Sequence, residues 1–112
     1  MTPEGKIKKK IDAMLKSKRG VWFFKPQSGP FGKSGVPDYI ICVASHFFAI
    51  EAKSGANKKP TALQYKAMDG ITKEGHGICM VVYDDDTLKV AESIIDDTLR
   101  NLETIERLHA GS

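Results

Sequence analysis

Between Gly35 and Lys53 the chain reads Gly-Val-Pro-Asp-Tyr-Ile-Ile-Cys-Val-Ala-Ser-His-Phe-Phe-Ala-Ile-Glu-Ala-Lys, an apolar stretch broken by only three charges, Asp38, Glu51 and Lys53. Side chains on a strand alternate between faces, so Glu51 and Lys53 point one way while Ile50 and Ala52 point the other. A preceding strand that starts at Asp38 brings a second carboxylate beside Glu51. Two carboxylates and an ammonium gathered in apolar surroundings are costly unless something compensates, and a divalent cation does so. The pattern is that of a magnesium site with an attached lysine.

These residues need a sheet to hold them. The apolar runs 39–44 and 47–52, with Ser45-His46 as a tight turn, predict an antiparallel pair near the sheet centre. Val21-Trp22-Phe23-Phe24 predicts a strand before them, and 78–83 a buried strand after them. Thr2-Pro3-Glu4 reads as a helix start, with Thr2 as the N-cap and Ile7, Ile11, Met14 and Leu15 facing inward. That leaves Lys6, Lys8, Lys9, Lys10 and Lys16 outside, and Gly20 is expected to end the helix. From Thr61, the residues Leu63, Ala67, Met68 and Ile71 predict a second helix that stops around Gly75. Asp84-Asp85-Asp86 caps a long terminal helix whose stripe runs from Leu88 to Ile105. The order is helix, three strands, helix, strand, helix, and the connection from Lys53 to Ile78 is long enough to cross over to a parallel neighbour.

At 112 residues the chain suits one domain, residues 1–112, and its 41% hydrophobic and 28% charged residues place it with globular proteins. The net charge of +3 hides an uneven distribution: residues 1–75 hold fourteen Lys/Arg against six Asp/Glu, whereas residues 76–112 hold three against eight. A basic front half suits a polyanionic partner, nucleic acid being the commonest, or makes a solvated lysine-rich surface. Cys42 and Cys79 lie in apolar runs as small core residues and form neither a disulfide framework nor a zinc site. No apolar run is long enough for a membrane span, and an intracellular location is expected.

Gly35-Val36-Pro37-Asp38 followed by Glu51-Ala52-Lys53 resembles the PD-(D/E)xK nuclease signature. The Gly-Val-Pro-Asp form, the Ile-Glu-Ala-Lys strand and Gln64 on the next helix look most like the VRR-Nuc, or virus-type replication-repair nuclease, group within that superfamily. The resemblance implies an α/β fold with a restriction-endonuclease-like αβββαβ core, a mixed central sheet flanked by helices, and here an additional C-terminal helix. It implies Mg²⁺, with Mn²⁺ as a substitute, held by Asp38, Glu51 and the backbone carbonyl of Ala52. Such hard oxygen donors suit either ion. Lys53 would orient the attacking water or stabilise charge on the transition state, with Gln64 facing the site. An acidic residue on the first helix, here Glu4, often reaches the metal or its waters.

Each residue also has a plainer role open to it. Lys53 can be a salt-bridge partner of Glu51, Asp38 a turn aspartate, Glu4 a helix-start acid, and Gln64 the far end of a Thr61-x-x-Gln64 capping box. Lys25, Lys33, Ser34, Lys58, Lys59, Lys6, Lys9 and Lys10 are read as DNA contacts rather than catalysts. Trp22, Phe23 and Phe24 are read as core. Isolated single-domain members of the group resemble Holliday junction resolvases, which implies branched DNA cut by a homodimer, in the cytoplasm or nucleoid of a bacterial or phage-infected cell. A non-catalytic nucleic-acid-binding module, and a nuclease acting on linear duplex or DNA ends, are the competing readings.

Overall fold

The computed structural model describes residues 1–27 and 34–110. Helix α1, Pro3–Lys16, starts at Thr2, whose hydroxyl accepts the Gly5 N–H, and buries Ile7, Ile11, Met14 and Leu15. It stops at Lys16, four residues before the expected Gly20. The Ser17 hydroxyl donates to the Met14 carbonyl at 2.6 Å and competes with the helical ladder. Gly20, at φ +82°, then turns the chain into β1 in the left-handed conformation that glycine tolerates.

Four strands form one sheet in the order β1 (Val21–Phe24), β2 (Tyr39–Val43), β3 (His46–Ala52), β4 (Ile78–Val82). The first two pairings are antiparallel and β3–β4 is parallel, as the long connection predicts. Tyr39, Ile41, Val43, Phe48, Ile50 and Val82 all point to one face, where α1 and the terminal helix α3 (Asp85–Ala110) complete the core. Burying each such large side chain contributes roughly 1.5–3 kcal/mol. Lys18 ties α3 in place through Glu92 at 2.7 Å and Asp96 at 3.1 Å.

The β2–β3 turn lies at Ala44-Ser45 rather than Ser45-His46. Both residues adopt positive φ, 50° and 71°, the primed geometry that matches the twist of paired strands. The register that this turn sets, Tyr39 opposite Ile50, continues to Asp38 opposite Glu51, the neighbour expected from the sequence.

The other sheet face is only half covered. Helix α2 (Ala62–Asp69) and the π-helical turn Gly70–Glu74 that continues it lie against β3 and β4, with Cys79 Sγ close to the Met68 carbonyl. That cover thins out across β2 toward β1: Ile40 is half-buried beside Leu63 and Ala67 of α2, whereas Trp22 is 62% exposed and Phe24 46%. These two aromatics and Cys42 are therefore surface, not core, and only Phe23 packs against the core cluster. Apolar composition shows what a strand would bury, not whether a helix is present to bury it against. The stripe of α3 likewise outlasts its support: Ala91 and Ile95 are buried while Ile105 is exposed. No described helix is long and apolar enough to cross a membrane.

Candidate active site

Two close approaches bring the site together. Asp38 leaves the Gly35-Val36-Pro37 segment at the head of β2, and Gly35 lies so near α2 that a Cβ there would come within 2.5 Å of the Leu63 carbonyl oxygen. With φ at +84°, that position is closed to most side chains on two grounds. On β3, Glu51 and Lys53 leave the same sheet face as Asp38, toward the first turn of α2.

Asp38 Oδ2 accepts the Ala52 N–H at 2.8 Å, which fixes the carboxylate beside β3. Glu51 is 3% exposed, a buried carboxyl in an otherwise apolar interior. Its Oε1 accepts from Gln64 Nε2 at 3.1 Å and lies 3.7 Å from Lys53 Nζ, while its Oε2 is buried without a partner. Burial, and after it the Asp38 carboxylate, push Glu51 well above the usual carboxylate range, to about 8, against the pull of Lys53.

Gln64 fills both roles open to it. The Thr61 hydroxyl accepts the Gln64 backbone N–H at 3.2 Å, and Gln64 Oε1 accepts the Thr61 N–H at 2.8 Å, completing the capping box. The same Oε1 accepts from Lys53 Nζ at 2.8 Å while Nε2 serves Glu51. Both bonds to Oε1 come from donors and the bond from Nε2 goes to an acceptor. The amide orientation is therefore dictated, since flipping it would set NH₂ against two donors.

No three His, Cys, Asp or Glu side chains converge as a ready-made metal cluster among the described residues. Two carboxylates face one another, with one buried oxygen unsatisfied and one carboxyl held unwilling to ionise. That donor set fits a hard cation that keeps several water ligands, as Mg²⁺ does.

The sequence matches no family model and no curated protein. Solved structures do match. One described as a VRR_NUC domain superposes with a TM-score of 0.66 at 24% identity, covering 82% of this chain and 97% of its own. Another, described as a VRR_NUC domain protein, gives 0.62 at 20% identity over 89% and 90% of the two chains. The chain has the VRR_NUC fold. The mixed four-stranded sheet with helices on both faces is the α/β architecture that the motif resemblance implies.

Within the VRR_NUC fold the remaining site residues separate into groups. Glu4 does not join the two carboxylates directly. It pairs with Lys8 at 3.5 Å, and Lys8 Nζ lies 3.4 Å from Asp38 Oδ1. Lys8 thus departs from the outward position expected of it. Burial lowers its affinity for a proton, but Asp38 and Glu4 outweigh this and hold its pKa above the ordinary lysine value. Lys25 and Lys10 are engaged in ion pairs, Lys25 with Asp12 at 3.0 Å and Lys10 with Asp85 at 2.7 Å. Lys6, Lys9, Lys58, Lys59 and Ser34 are exposed, whereas Lys33 lies outside the described residues.

Tyr39 and Asp12 were not among the residues singled out from the sequence. The Tyr39 hydroxyl lies 2.6 Å from Asp12 Oδ1 and 2.9 Å from the Lys8 carbonyl, its one proton serving one acceptor at a time. Burial, then Asp12, raise the Tyr39 phenol above its ordinary pKa. Burial alone would raise Asp12, yet the Tyr39 hydroxyl and Lys25 outweigh it and hold Asp12 below the ordinary carboxyl value. This network pins α1 to the strand that begins beside Asp38. Its sequence signal is the i, i+4, i+8 row of Glu4, Lys8 and Asp12, one polar stripe along a helix face.

Proposed function

We propose that this chain is a Mg²⁺-dependent DNA endonuclease, with Mn²⁺ as a substitute, that cuts phosphodiesters in branched DNA as a homodimer and leaves 5′-phosphate and 3′-hydroxyl ends. The observation that carries the reading is Glu51: buried, opposite Asp38, with Oε2 unpartnered and Oε1 tied to Gln64 and Lys53. Buried carboxyl oxygens are in the large majority hydrogen-bonded, so this orphan supports a ligand that the side chain is built to meet.

Asp38, Glu51 and the Ala52 carbonyl would hold the cation, which when bound polarises the phosphate and acidifies a water. Gln64 bonds Glu51 Oε1, and the unpartnered Oε2 would be free to serve the cation. Lys53, anchored by the Gln64 amide, would offer its ammonium to the negative charge that develops on the phosphate oxygens, or orient the attacking water. The exposed lysines 6, 9, 58 and 59 supply backbone contacts that carry no sequence information. Pairing two copies is supported by the single small site, since cutting two strands symmetrically takes two sites.

The test incubates the protein with a four-way junction and a matched linear duplex, with and without Mg²⁺, beside Asp38→Asn. Paired, metal-dependent cuts confined to the junction are expected, with Asp38→Asn losing at least about a hundredfold in rate. Full cleavage by Asp38→Asn would reject the site. Binding without cleavage by the unaltered protein would instead identify a non-catalytic module, and cleavage of the linear duplex a different substrate class.

A further inference from the structure

We infer that Lys8 is a built-in counter-cation of the carboxylate site, which holds Asp38 and Glu4 together in the metal-free protein and yields its place when a divalent ion enters. The inference rests on the metal reading above and concerns a residue that reading does not use.

The oxygens of Asp38 are already divided between two tasks. Oδ2 accepts the Ala52 N–H, whereas Oδ1 has no such N–H bond and lies 3.4 Å from Lys8 Nζ. The same ammonium lies 3.5 Å from Glu4 Oε2 and so links a helix acid to a strand acid that make no direct contact in the structure. Glu51 Oε2, the other oxygen available to an ion, has no partner, and of the two carboxyls Lys8 pairs with Asp38 alone. A monovalent group covering half of a divalent site is a competitor that a cation can displace.

The route out is also present. The Lys8 side chain is 37% exposed, so the ammonium can swing to solvent, whereas its backbone lies inside helix α1, which Tyr39 ties to the sheet through Asp12 or the Lys8 carbonyl. Loss of the charge therefore leaves helix α1 anchored. A Lys8 that only decorated the helix surface would influence stability and leave ion binding alone.

The test measures Mn²⁺ binding to the DNA-free protein by calorimetry and by the electron paramagnetic resonance of free Mn²⁺. Lys8→Met, which keeps the apolar stem, is expected to bind Mn²⁺ about tenfold more tightly, and Lys8→Arg, which keeps the charge, close to the unaltered affinity. Unchanged or weaker binding in a folded Lys8→Met overturns the inference while leaving the metal reading intact, provided Asp38→Asn abolishes binding. Absence of Mn²⁺ binding in both the unaltered protein and Lys8→Met overturns the two together. Circular dichroism of each variant separates lost folding from lost binding.

Discussion

Glu51 keeps its proton in the folded, metal-free protein up to about pH 8, whereas an unfolded glutamate gives it up near 4.5. Over that interval the folded state binds more protons than the unfolded one, and stability must fall as pH rises. The contribution is complete below about pH 4.5 and lost as pH passes through about 8. Thermal melts of metal-free protein should therefore drop across this window, and Glu51→Gln should flatten the drop. A pH response equally steep in Glu51→Gln would assign the proton elsewhere. Asp12, whose carboxyl is held low, acts in a separate acid window, since its contribution is present above its ordinary value of 3.8 and lost below it. The principal acids were legible because three charges in an apolar stretch are conspicuous. Lys8 was missed among its neighbouring lysines, although its place in the Glu4, Lys8, Asp12 row is what sets it apart from them.

At the scale of elements, the cap of α2 and the bracket around Glu51 are made by one side chain. Thr61→Ala removes the hydroxyl that accepts the Gln64 N–H and should cost about 1 kcal/mol in urea denaturation. It should also lower cleavage several-fold, because the first turn of α2 is what aims the Gln64 amide. Thr61→Ser should restore both quantities. A loss of stability with full activity would show that cap and site are independent. The start of α1, its four buried residues and the Thr61 capping box were readable because each depends on neighbours within one helical turn. The end of α1 and the hairpin turn were each misplaced. The first was decided by a serine bonding back to the helix, and the second by strand twist forcing positive φ on two residues that are not glycine.

For the whole molecule, the half-covered sheet is the feature that sequence patterning could not supply. Trp22 and Phe24 meet as a tilted pair, ring centroids 5.5 Å apart, on the open face, with Phe47 41% exposed on the same face. If the proposed homodimer pairs through this face, Trp22→Ser with Phe24→Ser should shift sedimentation toward monomer and leave the proposed Mn²⁺ binding unchanged. A dimer of unchanged strength in that double variant would direct attention to the exposed end of α3, where Ile105 and Leu108 lie. The mixed sheet, by contrast, followed from the lengths of the connections alone, since two residues permit only an antiparallel return and a long crossover permits a parallel one.

The two-residue turn at Ala44-Ser45 also bears on the order in which the chain can fold. It joins Asp38 to the strand bearing Glu51 across a short loop, whereas β4 reaches β3 only after the whole α2 excursion. Short loops close at lower entropic cost, so the hairpin is favoured to form before the parallel strand docks. The two acids would then meet while water still screens them, and become enclosed only later. Enclosure then favours the protonated form of Glu51 beside Asp38, so its raised pKa belongs to the finished fold and not to the early hairpin.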